Sequence, residues 1–205
     1  RRQEAPLEET DMADTFIYDH VRSPRGRGKK DGSLHEVTTP VLAAHVLKEI
    51  RDRNNLDAAL VDDVVLGCVD PVGEAGGDIA RAAAIAADYG KEVPGIQINR
   101  FCASGLEAVN FAGAQVMSGM KEMTIGGGVE SMSNCEYYST ETRWGTRAGS
   151  ISLHDRLERG RVRSQPEWRF GLIRSMMETA DNLAADYGIT REQADAYALR
   201  SQQRA

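Results

Sequence analysis

Three cysteines, four histidines and thirty-one carboxylates are the groups in this 205-residue chain that could attack a substrate, move a proton or hold a metal. Cys102 is distinguished by its position. It lies between a short extended run, Gly95 to Asn99, and a helical pattern in which Leu106, Val109, Val116, Met117 and Met120 recur at spacings of three, four and seven. Unpaired amide groups and the helix dipole place partial positive charge at a helix amino end, which favours a thiolate over a thiol. A cysteine there can serve as a nucleophile, and Ser104 and Gly105 leave room for a substrate to approach the backbone. The alternative is a small buried hydrophobe. Cys68 falls in the continuous apolar run Val64 to Val69 and reads as inert, and Cys135 has no assigned role. His45 reads as packing or surface. No pair of cysteines has metal-ligand spacing, and no metal site is expected.

The bulk composition narrows the classes. With 41% hydrophobic and 27% charged residues the chain is globular, and a net charge of −6 gives no support to a nucleic-acid partner. An odd number of irregularly spaced cysteines argues against a disulfide framework and for a reducing, cytoplasmic setting, with an organelle matrix also compatible. No stretch approaches the about 18 apolar residues that span a bilayer, so no membrane association is expected. Residues 1–11 lack an apolar core and carry four acids, unlike a secretory signal or a transit peptide. Residues 1–14 read as an extension, with Met12 as a candidate start.

These groups need elements to hold them. Thr15 to Val21 alternates well enough for a first strand, and Pro24 to Gly32 then breaks all periodicity. The loop between carries five positive charges from Arg22 to Lys30 and reads as a solvated loop or subunit contact rather than a phosphate site. Thr38 and Thr39 cap a helix opened by Pro40, whose apolar face is Leu42, Val46, Leu47 and Ile50. A buried strand, Val64 to Val69, follows, and then Asp78 caps a helix over 79–89 closed by Gly90. The next helix, after Cys102, carries only Glu107 as a charge before Lys121, and so should be covered on nearly every side. The alternation of strand and helix up to Gly126 predicts an α/β fold, βαβαβαβ, with parallel pairing and a buried central helix. Gly126-Gly127-Gly128 fails as a phosphate loop because no Lys-Ser/Thr follows; it reads as permitting close packing, with Glu130 a structural acid.

Two blocks, NRFCASGLEA and GGGVESMS, separated by one helix and one strand, resemble the thiolases, acyl-CoA C-acyltransferases that cleave or make 3-ketoacyl-CoA. The resemblance implies that Cys102 is the acylated nucleophile. It implies a layered fold in which two similar halves stack their sheets around a shared layer of helices, with residues 15–134 as the amino-terminal α/β domain. Residues 135–205 then resemble the start of the loop domain that covers the active site and holds coenzyme A. Eight arginines and the aromatics Trp144, Trp168 and Phe170 between Glu141 and Arg174 would suit phosphates and an adenine, although each alone reads as surface. SMMETADNLAAD resembles a loop-domain helix, which places Met176 at the pantetheine end of the substrate tunnel and Ser175 where biosynthetic members often have histidine. Thr190 and Gln193 form a capping box for the last helix.

Acyl-CoA and coenzyme A would be substrates, with no permanently bound cofactor, and the subunits would pair into a homodimer or homotetramer. The family takes its activating base from a Gly-His-Pro segment and its proton shuttle from a second cysteine before a Gly-Gly pair, both in the carboxyl-terminal half. No histidine here precedes proline and no cysteine precedes a glycine pair. The resemblance therefore covers only the amino-terminal half; the carboxyl-terminal half is expected further along the same chain or in a separate subunit, and the 205 residues alone are expected to lack turnover. Two rival readings share these residues: a ketosynthase-like or hydroxymethylglutaryl-CoA synthase-like condensing enzyme, and a non-catalytic subunit.

Overall fold

The computed structural model describes residues 14–158, 163–173 and 175–204. The expected extension over residues 1–14 lies outside them apart from Asp14. The chain divides into two compact units, residues 1–135 and 136–205, each described here by itself.

The first unit is built on a parallel sheet in the order β2-β1-β3, with β1 at Asp63–Gly67, β2 at Gly95–Ile98 and β3 at Thr124–Gly128. Val65 lies opposite Ile96 on one side and Gly126 on the other. Every residue of β1 is buried, which is why its sequence runs apolar without alternation. Helices α1 (Thr39–Arg53) and α2 (Ile79–Ala86) cover one face, packing Ala43, Leu47, Ile79 and Ala83 on Val64, Leu66 and Cys68. Helix α3 (Ser104–Met117) covers the other, setting Ala108 and Ala112 on Val65, Ile96 and Ile98. The α/β layering and the parallel pairing are those expected.

Several local expectations change. Thr15 to Val21 forms no strand among the described residues; it is tied instead by side chains, Thr15 Oγ1 donating to the Gly113 carbonyl and Asp19 accepting from Arg53 and Asn54. Phe16, Ile17 and Tyr18 are all exposed, so the alternating pattern there has no buried face to select a register. Thr38 stands at the amino end of α1 but its side chain makes no capping bond; the Glu74 carboxylate accepts from the Thr39 N–H at 3.2 Å, an anion at the positive end of the dipole. Asp78 does cap α2, accepting from the amides of Ala80 and Arg81. That helix stops at Ala86, before Gly90, because Asp88 takes a left-handed conformation and turns Tyr89 inward, where its hydroxyl donates to the Leu47 carbonyl at 2.9 Å.

Helix α3 shows the largest departure. It is covered along one stripe only, Ser104, Ala108, Ala112 and Gln115, while Leu106, Val109, Phe111, Met117 and Met120 point away from the sheet and are exposed. The stripe of small residues faces the sheet because glycines on the strands let backbone meet backbone. A Cβ at Gly126 would come within 2.8 Å of Val109 Cα, and one at Gly67 within 2.6 Å of the Gly105 nitrogen. Gln115 closes the stripe by donating to Asp63 Oδ2 at 3.2 Å in the interior.

The Asp19 carboxyl is held well below the usual carboxylate range, chiefly by its bond from Arg53 and then by that from Asn54. A depressed folded value stabilises the attachment at all pH above the ordinary range near about 4, and the effect is lost as pH falls through the lowered value. Asp19→Asn is accordingly expected to speed amide exchange across residues 15–21 at neutral pH while leaving α1 unchanged. Equal exchange in the two proteins would show that the segment is held by something else.

In the second unit, two short strands, β4 (Tyr137–Tyr138) and β5 (His154–Asp155), pair antiparallel, and the Arg156 guanidinium lies 4.6 Å from the Tyr138 ring centre. A single turn, α4 (Glu167–Phe170), precedes α5 (Met176–Tyr187) and α6 (Arg191–Arg204). Thr190 and Gln193 cap α6 reciprocally, as their spacing predicts. Trp144, Trp168 and Phe170 are exposed. Among the described residues, no helix is long and apolar enough to cross a membrane.

Candidate active site

Strand β2 delivers the chain to a tight turn, Asn99 to Ala103, and α3 begins immediately after it. Phe101 occupies the left-handed region at φ 49°, a conformation that costs a bulky residue of order 1–3 kcal/mol and persists only when its surroundings impose it. The surroundings are explicit. The Phe101 N–H donates to Asn99 Oδ1 at 2.8 Å, and its carbonyl accepts from Ser104 Oγ at 2.6 Å and from the Ser104 N–H at 3.0 Å. Ser104 Oγ in turn accepts from the Arg100 N–H at 2.8 Å. The bond between Ser104 and Arg100 closes the turn across its base, with Ser104 itself buried.

Cys102 rides on top of this turn, two residues ahead of Ser104, the first residue of α3, and it is exposed. The expected placement at the helix's amino end therefore holds. The geometry leaves Cys102 exposed on a backbone that is hydrogen-bonded on both sides.

Cys68 is the opposite case. It is 1% exposed, its sulfur lies 3.8 Å from Glu130 Oε1, and burial, reinforced by the Glu130 charge, pushes its thiol up to about 11. Glu130 also accepts from the Val69 N–H at 2.7 Å and the Asp70 N–H at 3.3 Å, so it pins the loop after β1 and is the structural acid expected. The Cys135 sulfur is 3.8 Å from Asp70 Oδ2. His45 is on the surface. Among the described residues, no cluster of histidines, cysteines and carboxylates is arranged to hold a metal.

Ser175 and Met176 belong to the second unit. Ser175 caps α5: its hydroxyl accepts from the Glu178 N–H at 3.2 Å and Glu178 answers by accepting from the Ser175 N–H, while Met176 is exposed on the first turn. The capping box spends the Ser175 hydroxyl on the helix, a role its spacing to Glu178 announces. Asn99 is the residue the sequence reading passed over. The signal available was an Asn two residues before a turn amide, a side chain suited to bonding its own backbone.

Comparison with known proteins places these observations. The family description "Thiolase, N-terminal domain" matches residues 15–205. The chain is 39% identical over 193 residues to a beta-ketoadipyl-CoA thiolase of Pseudomonas aeruginosa, covering 94% of this chain and 47% of that protein. It is 37% identical over 195 residues to an acetyl-CoA acetyltransferase of the same organism, covering 95% of this chain and 47% of that protein. The crystal structure of an acetyl-CoA acetyltransferase from Bacillus anthracis superposes with a TM-score of 0.71 at 37% identity, over 84% of this chain and 42% of that one. The chain spans about half the length of the curated relatives it matches. A match over nearly the whole of the described fold, with a cysteine braced at the head of α3, leaves one assignment: the chain belongs to the thiolase family.

Proposed function

We propose that the protein is an acyl-CoA C-acyltransferase acting on 3-ketoacyl-CoA, with Cys102 as the nucleophile. The observation that carries this is the exposed Cys102 on the locked turn that starts α3. On this reading the Cys102 thiolate attacks the 3-keto carbon, the adjacent carbon–carbon bond breaks, and its electron pair leaves as the enolate of acetyl-CoA, which takes up a proton. The acyl group, now a thioester on Cys102, passes to the thiol of coenzyme A and the thiolate is regenerated. The reverse sequence condenses two acyl-CoA molecules. Coenzyme A and acyl-CoA are substrates here, in a cytoplasmic enzyme that assembles as a homodimer or homotetramer. Met176 contacts the pantetheine arm, and Ser175 fixes the start of α5 beside it. The names of the relatives, a beta-ketoadipyl-CoA thiolase and an acetyl-CoA acetyltransferase at nearly equal identity, support the reaction class.

The test is intact mass after incubation of the protein with acetyl-CoA. A single acetyl adduct of about 42 Da is expected, localised to Cys102 and absent from Cys102→Ala. An adduct that survives in the variant, or none on the unaltered protein, would overturn the assignment.

A further inference from the structure

We propose that Asn99 is a positioning residue for the acyl-transfer step, holding the backbone beneath Cys102 in the conformation that aims its sulfur. The inference rests on the reading of Cys102 as nucleophile. Asn99 bonds in two directions at once. Its Oδ1 accepts the Phe101 N–H at 2.8 Å, which bends the chain into the left-handed turn, and its Nδ2 donates to the Val69 carbonyl at 2.9 Å. The second bond anchors the turn to a different strand exit, the loop after β1. That loop is itself fixed by Glu130, which accepts from the amides of both Val69 and Asp70.

The three strands are thus joined at one end by side chains. Glu130 leaves β3, bonds the exit of β1, and Asn99 links that exit to the turn leaving β2. Cys102 is reached only at the end of this series. Asn99 Oδ1 also lies 3.5 Å from the Ser104 hydroxyl, and Ser104 closes the turn from the helix side through its bonds with Arg100 and Phe101. Without Asn99, Phe101 keeps its carbonyl bonds but loses the partner of its N–H. Ser104 then holds the φ 49° turn from the carbonyl side alone, and relaxation of Phe101 toward negative φ becomes easier. Such a movement displaces the adjacent residue, and a misplacement near 1 Å at a reacting atom costs about a hundredfold in rate. An aspartate at this position would keep the acceptor and lose only the donor.

The experiment compares the intact protein with Asn99→Ala and Asn99→Asp. The rate of acetyl-adduct formation on Cys102 is followed against acetyl-CoA concentration, alongside amide exchange across residues 99–104. Asn99→Ala is expected to lower the saturated acylation rate by about ten- to a hundredfold with the half-saturating concentration changed by less than about threefold, and Asn99→Asp is expected to fall between it and the unaltered protein. Amide exchange at Phe101 should rise in Asn99→Ala while the body of α3 stays protected. An acylation rate in Asn99→Ala equal to that of the unaltered protein overturns the positioning role alone. So does a loss confined to the half-saturating concentration, or a loss accompanied by exchange throughout α3, which marks general unfolding. An unaltered protein that forms no adduct overturns the nucleophile and the positioning role together.

Discussion

Gly67→Ala is expected to lower stability by about 3 kcal/mol, a fall of roughly 6–12 °C in melting temperature for a chain of this size. The alanine Cβ would point from the end of β1 into the Ser104 carbonyl and lie 2.6 Å from the Gly105 nitrogen. All the atoms it meets belong to the backbone, so no side chain can rotate away. Either α3 lifts off the sheet or β1 shifts from between β2 and β3. Both movements begin at the amino end of α3, so the variant should also disturb the turn that carries Cys102. Gly105→Ala supplies the contrast: nothing lies within 4 Å of the added Cβ, and the position is helical. That change should be neutral or stabilising by up to about 1 kcal/mol, since alanine loses less backbone freedom in a helix than glycine. Thermal melts of the two variants check the argument, and a Gly67→Ala protein that melts with the unaltered one would show that the close seating of α3 is wrong.

Iodoacetamide at pH 8 is expected to modify Cys102 completely while Cys68 stays unmodified. The two thiols differ in access and in ionisation. Cys68 is sealed beneath the sheet, and with its thiol pushed up to about 11 roughly one molecule in a thousand is the reactive thiolate at that pH. Burial is the main cause and the neighbouring Glu130 carboxylate the second. Labelling at Cys68 should therefore appear only with global unfolding and track the urea transition. Peptide mapping resolves the sites, and alkylation of both at the same pace under native conditions would remove the structural distinction between them.

Much of this arrangement could be read from residue order. The parallel sheet follows from the alternation of elements, the place of Cys102 just ahead of α3 from a cysteine standing where a helical pattern starts, and the burial of Cys68 from its apolar run. The face of α3 could not be read from hydrophobicity, because the usual rule selects Leu106, Val109 and Met117 as buried. The structure buries Ser104, Ala108 and Ala112 instead. The deciding information lies in another segment, the glycines of β1 and β3, whose missing side chains make a small-residue stripe the better fit. Thr15 to Val21 shows the same limit: its period is right for a strand, yet pairing depends on a neighbour that periodicity cannot name. Asn99 is a third case. Its type suggests a local bond to the turn, but the bond to Val69 spans 30 residues and exists only after the strands are side by side.

The seam between α3 and the sheet has a thermodynamic consequence. Gly67, Gly126, Ala108 and Ala112 have no rotatable side-chain torsions, so at these four positions the contact freezes no rotamers, whereas leucine or methionine there would forfeit on the order of 0.5–2 kcal/mol per residue in side-chain entropy. At those positions, ordering the platform under Cys102 draws on backbone freedom alone. The larger side chains of α3, Leu106, Phe111 and Met117 among them, lie on the opposite flank and take no part in that seam.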